Sequence, residues 1–244
     1  LARLAASARD DPATTIGAAL HSLRAVALGD PRTIADAAAA IARDMPIHVH
    51  AAEQTAEVDA CRAAHGQPPV ALLLDSAPVD SRWCIIHATH TDDAEIRGLA
   101  NAGAVAGLCP TTEANLGDGI FDLAGYRAAG GRFAIGSDSH VVIDPRAELR
   151  LLEDEARLGQ RARNIHATPE QPHTGVALHQ AALDGGARAS GAAIGRLAPG
   201  HRADLLVLDP DHPSLCAARA GHAVDAWLFT QHGSPLRDVA VAGQ

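Results

Sequence analysis

The stretch PIHVHAAEQ (residues 46–54) ends a short apolar run with two histidines and a glutamate. The run that leads into it alternates apolar residues with histidine, which is typical of a β-strand. Imidazoles and a carboxylate at the end of a strand have two explanations. They are either metal ligands with an acid or base beside them, or a polar strand end that faces water. The rest of the sequence decides between these explanations.

Four further apolar runs share this form, and an Ala-rich amphipathic segment follows each of them. The five runs begin at residues 14, 46, 81, 104 and 132. Strands that alternate with helices predict βαβ units and a parallel sheet, with the polar strand ends gathered at one edge. That edge carries the active site in a (β/α)8 barrel, although only about five of its eight units are present. No GxGxxG sequence follows a strand, which disfavours a dinucleotide-binding sheet.

The pattern changes after Thr168. A helix is predicted over residues 170–191, followed by two short strands around a Pro-Gly turn within residues 194–210. The runs AWLFT (residues 226–230) and DVAVAG (residues 238–243) are predicted to be further strands. This part of the chain is therefore expected to form a portion of a small β-subdomain.

The composition excludes several classes of function. Aromatic residues make up 2% of the chain and the formal charge is −9, so no nucleic-acid partner is expected. No apolar run is long enough to span a membrane and no signal peptide is evident, so a cytoplasmic location without membrane contact is expected. All 20 basic residues are arginine, which excludes Schiff-base catalysis, P-loop chemistry and a lysine-bridged metal pair within these residues. The four cysteines form no CxxC pair.

Four side chains at strand ends are candidates for chemistry: His50, Glu53, His87 and Asp138. Each alone is weak evidence, because a single histidine at a strand end is more often structural and an SD pair often caps a helix. Together they supply neutral imidazoles and carboxylates, which zinc and iron(II) prefer as ligands. The donor set suits manganese as well, so the sequence leaves the metal open.

The runs HVHAAEQ, IIHATH, GLCPTTEANLGDGIF and RFAIGSDSH resemble the amidohydrolase superfamily. Within it they are most similar to the N-formimino-L-glutamate deiminases of histidine degradation. The run RLAPGHRADLLVLD is similar to the strand that returns to the small β-sandwich in many amidohydrolases. The resemblance covers about residues 15–243, and its SDSH and CPTTEANLGDG runs are the most specific.

The resemblance implies a role for each strand-end residue. His50, from barrel strand 5, and Asp138, from strand 8, would hold one divalent ion, with zinc as the first expectation and iron(II) as the alternative. Glu53 would carry protons. His87, from strand 6, would polarise the attacked carbon or orient the water. Asp138 would also accept a proton from that water, so that Glu53, His87 and Asp138 form the catalytic set.

The resemblance also implies a small-molecule substrate and a reaction. His21 and Arg24 match the substrate-binding pair after strand 4, and a guanidinium can hold a carboxylate through two parallel hydrogen bonds. The reaction would be the hydrolytic deimination of N-formimino-L-glutamate to N-formyl-L-glutamate and ammonia. A homodimer is one option for the assembly.

The implied fold class is α/β. Residues 1–190 would form the C-terminal part, about strands 4–8, of a metal-dependent hydrolase barrel of the (β/α)8 type, and residues 191–244 would form part of a small β-sandwich. The family pattern also has an HxH pair on strand 1, and nothing before Thr14 matches that strand. The chain is therefore expected to be truncated at both ends and inactive alone. Two alternatives stay open. One is a purine or heterocycle deaminase, which Arg24 and the scarcity of aromatic residues disfavour. The other is a truncated barrel without catalytic function.

Overall fold

A five-stranded parallel sheet forms the centre of the chain, and its strands lie side by side in chain order. The structure is a computed structural model that describes residues 1–8, 11, 13–216, 218–230 and 233–244. The strands are β1 (Ala18–Ser22), β2 (Ile47–Ala51), β3 (Trp83–His87), β4 (Val105–Leu108) and β5 (Arg132–Ile135). The predicted α/β fold with a parallel sheet is confirmed.

Helices connect successive strands, as parallel pairing requires. Helix α1 (Ala2–Ser7) precedes β1, and the connecting helices up to β5 are α2 (Asp30–Ile41), α3 (Thr55–His65), α4 (Pro69–Ser76), α5 (Asp93–Ala102), α6 (Pro110–Leu116) and α7 (Leu123–Ala128). After β5 come α8 (Pro145–Gln160), α9 (Thr174–Ser190), a 3₁₀ turn (Ala220–His222) and α10 (Ala223–Phe229). No helix in the described part of the chain combines the length and apolarity that crossing a membrane requires.

The two faces of the sheet bury different sets of side chains. One face carries the main core, which includes Ile47, Val49, Trp83, Ile85, Leu108 and Phe133 together with residues of the surrounding helices. The other face carries a smaller cluster of Cys84, Val105 and Ala134, covered by Ala189 of α9. Helix α9 approaches β5 so closely at Gly185 that a Cβ atom there would overlap the main chain of Phe133. The approach therefore requires glycine at this position.

The segment after α9 differs in two places from the prediction. The first four residues of the run AWLFT lie in helix α10 rather than in a strand, because Trp227 and Leu228 are buried where α10 packs against α8 and α9. Short apolar runs do not distinguish the two structures by periodicity. Only one strand, β6 (Leu205–Leu208), forms in the region predicted to hold two, since the residues before it turn at Gly195, whose φ is 76°. Strand β6 pairs antiparallel with β7 (Leu236–Ala240), which overlaps the predicted DVAVAG strand.

Candidate active site

His50 lies near the carboxyl end of β2 with one ring nitrogen fixed by the main chain. Its Nδ1 is 2.6 Å from the carbonyl oxygen of His21 on the neighbouring strand β1. A carbonyl only accepts hydrogen bonds, so Nδ1 must carry the proton in this contact. The lone pair of neutral His50 is then on Nε2, which is the tautomer that a metal ligand requires.

His87, the last residue of β3, is buried and held by a carboxylate. Its Nδ1 donates to Oε1 of Glu113 at 3.0 Å, and its Nε2 lies 3.8 Å from Oε1 of Glu53. Both His87 (φ 69°) and Ala88 (φ 53°) have left-handed backbone conformations, which non-glycine residues rarely adopt. Burial lowers the pKa of His87. The hydrogen bond and charge of Glu113, together with the charges of Glu53 and Asp138, outweigh that effect, and the net pKa is raised.

Asp138 follows β5 in a loop that is tied to α6. The hydroxyl of Thr112 donates to the carbonyl of Ser137 at 3.3 Å and accepts from the main-chain N–H of Ser139 at 3.2 Å. Asp138 itself has φ 38° and is exposed. One donor atom each from His50, His87 and Asp138 lie within 4.8 Å of one another. Three of the predicted site residues therefore converge on one point.

The remaining predicted residues lie around this cluster. Arg24 follows β1, and its guanidinium is 3.9 Å from Oε2 of Glu53 and 3.9 Å from Oε1 of Glu57. Glu57 also accepts a hydrogen bond from the main-chain N–H of Glu53 at 3.0 Å. The ring of His21 is 5.5 Å from the ring of His50. Glu57, which the sequence pattern did not single out, thus fixes the main chain of Glu53 and places a second carboxylate near Arg24.

A group of three carboxylates lies behind the cluster, formed by Glu113, Glu148 and Glu155. Glu113 accepts from the main-chain N–H of Cys109 at 3.0 Å as well as from His87. Glu148 accepts from the main chain and the hydroxyl of Thr111 at 2.9 and 2.6 Å. Burial, followed by the charges of Glu113, Asp154 and Glu148, raises the pKa of Glu155 to about 7.

The variant Glu155→Gln should change the dependence of stability on pH. The pKa of Glu155 is about 7 in the folded protein and near its ordinary value of 4.5 when unfolded, so the unfolded chain ionises first as the pH rises. The wild type therefore loses stability between these two values, and a neutral amide at this position removes that loss. In urea unfolding, the free energy of unfolding of the variant minus that of the wild type should be about 1–2 kcal/mol more favourable to the variant at pH 8 than at pH 4. An equal effect at both pH values would contradict the assignment.

Cys109 is part of the wall of the site and not a nucleophile. It is buried, and burial together with the charges of Glu113, Asp138 and Glu148 raises the pKa of its thiol far above the ordinary value. A thiol in such surroundings stays protonated and unreactive.

The arrangement is typical of parallel α/β enzymes, whose active sites lie at the carboxyl ends of the strands. The sequence profile of the Amidohydrolase family matches residues 8–244. The chain belongs to the amidohydrolase family, which confirms the resemblance seen in the sequence.

Two curated relatives illustrate the similarity. A formimidoylglutamate deiminase from Pseudomonas aeruginosa is 50% identical over 230 residues, which are 94% of this chain and 50% of the relative. A 5-methylthioadenosine/S-adenosylhomocysteine deaminase from Haloarcula marismortui is 31% identical over 208 residues, which are 84% of this chain and 46% of the relative. The chain therefore spans about half the length of these relatives.

Two solved structures are also similar to this chain over nearly its whole length. An amidohydrolase from Brucella melitensis matches with a TM-score of 0.87 and 43% identity, over 99% of this chain and 53% of that one. An adenosine deaminase from Xanthomonas campestris with bound zinc matches with a TM-score of 0.85 and 26% identity, over 99% of this chain and 54% of that one.

Proposed function

We propose that the protein containing this chain hydrolyses N-formimino-L-glutamate to N-formyl-L-glutamate and ammonia, using one divalent metal ion. The observation that carries the proposal is the convergence of His50, His87 and Asp138 within 4.8 Å, with Glu53 beside them. The similarity to the deiminase of P. aeruginosa supports the substrate. In this proposal β1–β5 correspond to about strands 4–8 of a (β/α)8 barrel over residues 1–190, and residues 191–244 contribute to a small β-subdomain.

The residues fit a metal ion, with zinc as the first candidate. The hydrogen bond from Nδ1 of His50 to the main chain leaves Nε2 as a metal ligand, and Asp138 offers a carboxylate within the same 4.8 Å cluster. Such outer contacts orient imidazole ligands in many metal sites. A bound divalent ion would lower the pKa of a coordinated water from about 15.7 toward about 7.

Glu53 is the residue that would move protons in this reaction. Ammonia is a poor leaving group until it is protonated, so a carboxyl group must carry a proton from the attacking water to the departing nitrogen. Glu53 is mostly buried, and its main chain is fixed by Glu57. Its carboxylate lies 3.8 Å from His87, which would orient the water. Asp138 would also accept a proton from the water, and because both protons of the water end on the departing ammonia, that proton would pass on to the nitrogen as the C–N bond breaks.

Arg24 would bind a carboxylate of the substrate. Its side chain is 46% exposed, and its contacts to Glu53 and Glu57 are 3.9 Å long, which is outside hydrogen-bond distance. A substrate carboxylate could therefore form two short hydrogen bonds to the guanidinium without breaking a tight ion pair. His21, whose ring is 5.5 Å from the ring of His50, would be the second substrate-binding residue.

Ammonia release by the intact protein with zinc tests this function. The substrates are N-formimino-L-glutamate, N-methylformamidine, which lacks the glutamate part, and adenosine. Ammonia from the first at a much higher kcat/KM than from the others supports the proposal. If ammonia came mainly from adenosine, the proposed function would be wrong and the protein would be a heterocycle deaminase. A protein that binds no metal and releases no ammonia would be the non-catalytic barrel.

The variant Glu113→Gln should lower the kcat of the reaction by about 10–100-fold while leaving KM nearly unchanged, because outer-shell partners of a site have effects of this size. A neutral amide no longer stabilises the imidazolium form of His87, so the pKa of His87 should fall. NMR titration of the His87 ring measures this shift. The matched control is Glu148→Gln, which changes a neighbouring buried carboxylate that contacts Thr111 instead. An equal shift of the His87 pKa in both variants would contradict the positioning role.

A further inference from the structure

A second cluster of metal-ligating side chains lies where α9 and α10 begin. His173 immediately precedes α9, His222 immediately precedes α10, and Asp225 lies in the first turn of α10. One donor atom from each residue lies within 4.8 Å of the others. None of the three belongs to the strand ends that form the candidate active site.

The three side chains are already held in a fixed arrangement. Oδ2 of Asp225 accepts from Nδ1 of His173 at 2.7 Å, and its Oδ1 accepts from the main-chain N–H of Gly175 at 2.6 Å. The rings of His173 and His222 meet edge to face, with centroids 4.7 Å apart. A preformed set of this kind needs little ordering of side chains when an ion binds.

We propose that His173, His222 and Asp225 form a second binding site for a divalent transition metal such as zinc. Two imidazoles and one carboxylate are a ligand set that zinc accepts in tetrahedral sites, with water in the fourth position. His222 is exposed, and a groove of about 690 Å³ beside His222 and Asp225 gives an ion access from solvent. Hard cations such as Mg²⁺ prefer all-oxygen ligands and are excluded by the two imidazoles.

The bound ion would take a position now occupied by a proton. In the metal-free state Nδ1–H of His173 bridges to Asp225 at 2.7 Å. Coordination through that nitrogen requires the tautomer of neutral His173 with its proton on Nε2, so the proton would leave Nδ1 and Nε2 would take one up from solvent. Nδ1 and Oδ2 would then move apart to fit ligand distances of about 2.0–2.2 Å from the ion. The ion would then join the first turn of α10 to the start of α9, adding to the contact between Gly175 and Asp225.

Zinc stoichiometry tests this proposal. The protein is stripped with chelator and dialysed against a small excess of Zn²⁺, and its bound zinc is measured by elemental analysis. Wild type should bind one ion more per chain than His222→Ala. The variant Asp225→Asn, which retains an acceptor for the N–H of Gly175, should also lose that ion. The control His212→Ala removes a histidine outside the cluster and should bind as much zinc as wild type.

This test does not depend on the proposed active site. The variant His50→Ala should keep the second ion even if it loses the first, and the thermal unfolding temperature of His50→Ala should still rise when zinc is added. In the double variant His50→Ala/His222→Ala, zinc should not raise the thermal unfolding temperature. Equal zinc content in wild type and in a folded His222→Ala protein would overturn the proposal, whether or not the active site holds a metal.

Discussion

Asp138→Ala should abolish ammonia release from N-formimino-L-glutamate, with a loss of at least about 1000-fold in kcat/KM. Asp138 would both hold the metal and accept a proton from the attacking water, so one substitution removes two functions. Among the described residues, Asp138 supplies the only carboxylate of the metal-ligand cluster that contains His50 and His87. Bound zinc at the active site should fall together with activity.

The matched control for this variant is Asp36→Ala, which removes an exposed carboxylate on α2. It should leave both zinc content and kcat unchanged. The proposed role of Asp138 would be wrong if Asp138→Ala retained most of its activity, or if it lost activity while binding active-site zinc as tightly as wild type.

Glu53→Gln should lower kcat by about 100- to 10,000-fold, which is the range for loss of a general acid–base group. Glutamine has nearly the same shape but cannot carry a proton. Because Glu53 is proposed not to be a metal ligand, zinc content should stay at the wild-type level. This separation of activity from metal binding distinguishes Glu53 from Asp138.

The measurements for Glu53 are kcat and zinc content in parallel. Arg24 lies 3.9 Å from Glu53, so the variant also removes a nearby charge and a modest change in KM is expected. A loss of zinc in Glu53→Gln would make Glu53 a ligand instead. A kcat within about threefold of wild type would exclude it as the main proton carrier.

The parallel sheet and the convergence of the site followed from strand ends that the sequence displays directly. His50, His87 and Asp138 each stand at or just after the end of an apolar run, and parallel strands bring such ends to one edge. The family resemblance then supplied expected roles. Local pattern and topology were therefore sufficient to predict that these side chains would lie at one edge of the sheet.

The supporting contacts could not be predicted in this way, because they join residues far apart in sequence. Glu113 and His87, which form a hydrogen bond, are 26 residues apart in the sequence. The loop that holds Asp138 is fixed by Thr112, which lies on α6. Glu57 is an exception, because it lies only four residues after the residue that it contacts, Glu53. Its sequence position still does not distinguish it from an ordinary carboxylate on the surface of a helix. The helix at Trp227 was missed because its burial against α8 and α9 decides the structure, not its five-residue pattern.

The decisive measurement is ammonia release from N-formimino-L-glutamate by the intact protein before and after metal removal. The protein is assayed as purified, after exhaustive chelation, and after addition of zinc to the chelated sample. Activity that is lost on chelation and restored by zinc is the expected result. Activity that persists in a protein shown to be free of metal, or a zinc-loaded protein that releases no ammonia from this substrate, would contradict the proposed metal-dependent deimination.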